Sequence, residues 1–262
     1  MQFFRSLVCP GVAALLLCNF ATFKGACATF SQNPSADAFV TPGPTGNLSN
    51  NNYGGAGALS IAAPGLSQGE FQSVLQFGLS AAKTSFDAQF GVGQWTIQSV
   101  TLQLTATAPG NPIFNSSAAG QFSVSWMQND TWTEGTGTPQ TPTTAGITFA
   151  TLSNFVSGAD ELLGTYGFNG ATNGNATYTL NLTPSFSADI LAGGTLSLRM
   201  FAANNSVSYL SDSRNFGGAS VRPLLTVTAV PEPRQLGFIA CGLYFSMLCG
   251  RAVLRSTGRR GI

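Results

Sequence analysis

Val100-Thr101-Leu102-Gln103-Leu104-Thr105-Ala106-Thr107 decides the fold class. Apolar residues occupy every second position, and hydroxyl or amide side chains fill the positions between them. A period of two puts successive side chains on opposite faces, so this is a strand with one buried and one hydroxylated face. The same alternation recurs outward from it. Phe122, Val124 and Trp126 alternate with Ser123 and Ser125; Tyr178, Leu180 and Leu182 form another set. Leu196, Leu198 and Met200, then Leu225, Val227 and Ala229, and the stretch Phe71 to Leu79 complete the series. One short helix is expected. Thr183 caps it, Pro184 takes its first position, Phe186, Ile190 and Leu191 point inward, and Gly193-Gly194 stops it. Strands joined by Gly-, Asn- and Pro-rich loops, without an internal repeat, predict an all-β chain. Its form would be a single antiparallel β-sandwich, jelly-roll-like, with one core.

The two ends read differently from this body. Arg5, the mostly apolar stretch Leu7 to Phe20 and Ala26-Cys27-Ala28 form a signal peptide over 1–28, with a cut after Ala28. At the other end, Val230-Pro231-Glu232-Pro233 precedes an uncharged run from Leu236. Proline lacks an N–H and fixes φ, so this stretch ends a strand and leaves an exposed segment. Extended by snorkelling of Arg251 and Arg255, the run makes a transmembrane helix over about 236–254. Arg251, Arg255, Arg259 and Arg260 hold the C-terminus in the cytoplasm, which places residues 29–230 outside. The tail 231–262 resembles the bacterial PEP-CTERM sorting signal. That resemblance implies recognition by a membrane-embedded exosortase, cleavage near the Pro-Glu-Pro triplet, and delivery to the cell surface or extracellular matrix after transient anchoring in the inner membrane. Export of the chain would use the Sec machinery.

Without its ends the chain has a different chemistry. All five cysteines lie at positions 9, 18, 27, 241 and 249, so the body has neither disulfide nor thiol chemistry. Between Thr29 and Val230 four basic residues face nine acidic ones, a net of −5. That balance argues against nucleic acid as a partner. Arg214 and Arg222 are expected to pair with carboxylates near the closing strands.

The order of motifs along the body resembles the DNRLRE-type domains, which are similar to a carbohydrate-binding-module family. Ala36-Asp37-Ala38-Phe39-Val40 matches the opening strand, and Asn52-Tyr53-Gly54 the following turn. Val74 to Leu79, Ile97 to Leu104, and Asp130-Thr131-Trp132-Thr133-Glu134 match successive segments. Ser213-Arg214 and Arg222-Pro223-Leu224-Leu225-Thr226-Val227 match the closing signature. Gln76 and Gly78 replace an Arg and an Asp of the family pattern, and Gly135-Thr136-Gly137-Thr138 departs from it after Glu134. The resemblance implies a sandwich of about the same extent and an association with extracellular polysaccharide.

The chain has no histidine, and its body no cysteine, which rules out Ser-His-Asp and Cys-His nucleophile systems. A glycosidase needs only two carboxylates, for which Asp130 with Glu134 and Asp160 with Glu161 are the available pairs. Neighbouring acids on turns read instead as solvated loop acids, and the chain is read as non-catalytic. Asp130 and Glu134 are also the candidates to hold a structural Ca²⁺, the only cofactor considered, with Asp37 or Asp212 as further ligands. Sugar binding would use flat aromatic rings. Tyr53 and Trp95 lie beside Gly-rich loops and are expected to be exposed. Trp132 either plugs the core or joins them as a platform, and Trp126 reads as core. A self-associating matrix protein without sugar affinity is the alternative.

Overall fold

The computed structural model describes residues 27–232. Ala26, Pro233, the expected helix over 236–254, and Arg251, Arg255, Arg259 and Arg260 lie outside the described residues. Among those described, no helix is long and apolar enough to cross a membrane.

The strands are β1 (Ala28–Gln32), β2 (Ala36–Val40), β3 (Ala58–Ala62), β4 (Gln72–Gly78), β5 (Trp95–Thr105) and β6 (Gly120–Met127). They continue as β7 (Glu161–Phe168), β8 (Asn175–Leu180), β9 (Thr195–Ala202), β10 (Ser208–Asp212) and β11 (Leu224–Pro231). The helices are α1 (Ser80–Phe90), α2 (Phe149–Leu152) and α3 (Pro184–Ala192). A four-stranded sheet has the order β1-β11-β5-β8, and a five-stranded sheet the order β2-β4-β9-β6-β7. A two-stranded ribbon, β10-β3, completes the set, and every named pairing is antiparallel.

The alternation predicts the register. Leu102 pairs with Leu225 on one side and Tyr178 on the other, while Val100 pairs with Val227 and Leu180. On the facing sheet Leu198 pairs with Leu75 and Trp126, and Met200 with Val124. These residues form one buried core between the two sheets. Each such side chain removed from water stabilises the fold by about 1.5–3 kcal/mol, and the shared core makes this an antiparallel β-sandwich. Trp126 belongs to it, as expected, and hands its indole N–H to Asp189 at 2.9 Å.

Two differences from the sequence reading concern helices. α1 is absent from that reading because only Ala82 and Phe86 of its eleven residues are buried, which leaves almost no periodic signal. Helix α3 lies where Thr183, Pro184 and Gly193 predict it, but Leu191 is exposed and only Phe186 and Ile190 face inward. Its N-terminus is not capped by Thr183. The carboxylate of Glu161 accepts the backbone N–H groups of Ser185 and Phe186 and the Thr183 hydroxyl, answering the unpaired donors of the first turn.

A second apolar cluster lies on the outer face of the five-stranded sheet. There Ala38, Val40 and Val74 are covered by Trp132, Ile147 and Leu152 from the long segment between β6 and β7. One face of that sheet therefore meets the core and the other a coat of loop. Among the described residues the four-stranded sheet has no such coat.

The core register is tested by Leu102→Ala, expected to cost about 2–5 kcal/mol in urea denaturation. Thr101→Ala, one residue away on the opposite face, should change stability by no more than about 0.5 kcal/mol.

Candidate functional site

Four motifs that are far apart in sequence meet at one end of the sandwich. Glu134 is the centre. Its carboxylate accepts Nε and Nη2 of Arg214 at 2.7 and 2.6 Å, Nδ2 of Asn215 at 3.0 Å and the backbone N–H of Asp37 at 3.1 Å. The fork-to-fork geometry suits a guanidinium, whose donors lie in one plane. Asp37, 1% exposed, accepts the backbone N–H of Arg214 at 2.7 Å through Oδ2, and its Oδ1 has no hydrogen-bond partner.

Asn52 fastens the same loops from the other side. Its buried amide donates to the carbonyls of Glu134 and Ile147 at 2.6 and 2.8 Å and accepts from the N–H groups of Gly54 and Gly137, both at 3.1 Å. The backbones approach so closely that a Cβ on Gly54 would collide with the Glu134 carbonyl, and one on Gly137 with the Asn52 carbonyl. The close approach leaves no room for a side chain at Gly54 or Gly137.

The cluster is held shut by its own bonds. Burial chiefly, opposed by the Arg214 N–H and reinforced by the Glu134 charge, pushes the Asp37 carboxyl up to about 7. The unpartnered oxygen fits a proton residing there. Two acids beside one cation resemble the acid–base pairs of hydrolases. Here, however, the Glu134 carboxylate is enclosed by four donors and Asp37 is out of reach of solvent.

The candidate residues fare as follows. Tyr53 is buried, stacked on Phe39 at 4.8 Å between ring centroids, with Asn51 donating to its hydroxyl. Trp95 is buried against Phe86 at 4.9 Å and donates to Asp87 Oδ1 at 2.8 Å. The exposure expected for both is overturned. Helix α1 covers Trp95, and the end cluster around Phe39 encloses Tyr53. Trp132 takes the plug role, buried under the coat with its N–H on Ser197 Oγ at 3.1 Å. None of the three rings presents a free face to a sugar.

The two acids of the expected metal pair lie in different surroundings. Asp130 and Glu134 have separate partners, since Asp130 lies beside Ser197 and Asp189. A cation at Glu134 would have to displace the guanidinium. No group of three acidic or thiol side chains suited to a metal occurs among the described residues.

Of the two arginines expected to pair, Arg214 does so. Arg222 instead donates Nε to the Phe216 carbonyl at 3.3 Å. The acids Asp160 and Glu161 also have structural tasks, with Asp160 accepting from the backbones of Gln128 and Ser157. At the chain ends, Ala28 opens β1 opposite Ala229. Val230 and Pro231 pair with Thr96 and Trp95 at the end of β11, and the Glu232 N–H donates to the Gln94 carbonyl at 2.9 Å.

What the sequence reading did not single out is the arrangement of hydroxyls. Register brings Thr179, Thr101, Thr226 and Ser31 into one row across all four strands of the uncoated sheet. A second row runs Ser99, Thr228, Thr29. The Ser31 and Thr226 hydroxyls hydrogen-bond at 2.7 Å. The signal lies in the polar positions of the alternation, which need the strand order before they form rows.

No family model and no curated protein matches the chain. Among solved structures, a chain from Desmodium yellow mottle tymovirus is similar over 88% of this chain and 96% of its own, with 9% identity and a TM-score of 0.22.

Removing the guanidinium leaves two acids facing each other. Arg214→Met should cost about 2–3 kcal/mol by denaturant titration, less than the 3–5 kcal/mol of a fully buried pair because the arginine side chain is 34% exposed. The two strongly shifted acids act in opposite senses on the pH dependence. Asp37, raised from 3.8 to about 7, holds a proton that the unfolded chain has released, so its contribution fades as pH rises across that interval. For Glu161, burial acts upward, but the hydrogen bonds from Thr183, Phe186 and Ser185 outweigh it and bring the group from 4.5 down to about 2. That contribution is present above 4.5 and is lost as pH falls towards 2. The melting temperature should therefore peak in mildly acidic solution, and Asp37→Asn should flatten the decline towards neutrality.

Proposed function

We propose that the chain is an exported, non-catalytic bacterial protein of the cell surface or extracellular matrix. In this reading it is sorted through its PEP-CTERM-like tail, folded as a jelly-roll-like sandwich, and associated with extracellular polysaccharide. The observation that carries the reading is the hydroxyl ladder. Thr179, Thr101, Thr226 and Ser31 lie side by side on a sheet face that no loop among the described residues covers. Neighbouring strands repeat at about 4.8 Å, so the row offers hydroxyl groups at regular intervals to the hydroxyls of an extended glycan. Such contacts are neutral hydrogen bonds, individually modest and effective only in number. The acids support the non-catalytic part, since Glu134, Asp160 and Glu161 each hold backbone or guanidinium donors.

A second reading, a structural or self-associating matrix protein without sugar affinity, draws on the burial of Tyr53, Trp95 and Trp132. With those rings inside, aromatic stacking is not the mode of contact.

Retention of the purified full chain on a panel of insoluble and extracellular polysaccharides, with Ca²⁺ or EDTA, separates the two. Saturable retention that falls about tenfold in the double variant Thr101→Val, Thr226→Val, with an unchanged melting temperature, would support the ladder. A folded chain that no polysaccharide retains would leave the structural reading.

A further inference from the structure

The other sheet bears a site of different chemistry. Arg199 lies on β9 between Leu198 and Met200, which face the core, so its own side chain emerges on the outer face of the five-stranded sheet. It is one of the few cations in the body, and the other strong ion pairs leave it out: Lys83 is bonded to Asp87 and Arg214 to Glu134. Among the described residues no carboxylate bridges Arg199. Its single hydrogen bond is from Nε to Oε1 of Gln72, at 2.7 Å, and its guanidinium carbon stands 4.5 Å from the centre of the Phe201 ring. Gln72 and Phe201 thus fix the plane of the group while both terminal nitrogens keep their donors. A half-buried guanidinium is costly to leave unpaired.

These donors border a cavity. Helix α2 belongs to the coat over this sheet, and beside it is an open recess of about 300 Å³ lined by Gln72, Phe149, Leu152, Ser153, Val156 and Arg199. That volume is at the lower limit of small-ligand sites, roughly 300–1,000 Å³, and suits a single ring. One wall is apolar and one hydroxylated, with a planar double donor at the end. Asp160 and Glu70 act on the guanidinium from nearby without bonding to it. Their charges disfavour a second negative charge on the ligand, which selects a carboxylate over a phosphate.

We infer that Arg199 and the recess beside α2 form a binding site for a ring-borne carboxylate, namely one uronate unit of an acidic extracellular polysaccharide. The carboxylate would meet the guanidinium fork, and the apolar face of the sugar ring would lie on Phe149, Leu152 and Val156. The choice of a sugar acid over other carboxylates rests on the polysaccharide reading above; the site itself is on the opposite sheet from the hydroxyl ladder.

The test is calorimetric titration of the purified full chain with an oligouronate, its neutral counterpart and an acidic peptide. Saturable uronate binding is expected, with the neutral oligosaccharide at least about tenfold weaker. Arg199→Met should abolish it, and Arg199→Lys, which keeps the charge but not the fork, should weaken it about tenfold. Both variants should keep the cooperative melt of the parent to within about 2–4 °C, because Arg199 is half-buried outside the core and no carboxylate bonds to it. Absence of uronate binding, uronate binding equal in all three chains, or equal binding of the acidic peptide would overturn the assignment. Retention on neutral polysaccharide in the first of those cases would leave the broader function standing.

Discussion

The carboxylate of Glu134 is the constraint on which closure of this sandwich depends. It gathers Arg214 and Asn215 from the segment before β11, and the backbone of Asp37 from β2, onto the loop that follows β6. Only 8% of the chain is charged, so an ion pair in a partly buried place is a marked investment of its few charges. The physical logic is specificity of closure. An unpaired carboxylate there would carry a large desolvation penalty, so loop and strand arrangements that separate Glu134 from Arg214 are disfavoured. Asn52 performs the neutral counterpart of this task, satisfying four backbone groups with one amide.

That closure gives the two outer faces different characters. The segment anchored by Glu134 and Asn52 continues through Ile147 and Leu152 and lies over the five-stranded sheet. It buries Trp132, and around α2 it leaves the recess that borders Arg199. The four-stranded sheet receives no cover from the described residues, and its polar positions form rows of hydroxyls. One face carries rows of hydroxyls, the other a recess bordered by a guanidinium.

The acids illustrate why composition alone is a poor guide to chemistry. Asp37, its carboxyl raised by burial, adjoins Glu134 and Arg214, an arrangement like those from which acid–base catalysis is built. Here burial and an arginine produce the same electrostatics for structural ends. Glu161 is held ionised, but by the N-terminus of α3 and the Thr183 hydroxyl. A shifted carboxyl marks a site only when a substrate can reach it.

The sequence by itself determined β4, β5, β6, β8, β9 and β11 and the face that each of them turns to the core, whereas β1, β3, β7 and β10 are too short or too mixed to show an alternation. Residues such as Leu102, Val124, Leu198 and Val227 alternate with polar neighbours, and a period of two needs no tertiary information to assign inside from outside. It also determined α3, through Pro184 and Gly193. Helix α1 was illegible because two buried residues make no pattern. Exposure of individual rings was illegible as well. Tyr53 and Trp95 lie beside glycines that suggest open loops, yet Phe39 and α1 cover them, and those partners are distant in sequence or belong to the unread helix. The meeting of Asp37, Asn52, Glu134 and Arg214, the hydroxyl rows and the recess at Arg199 were decided only by the tertiary structure. Each depends on which strands are neighbours and where a loop folds back, and such long-range pairings leave no periodic trace in the chain.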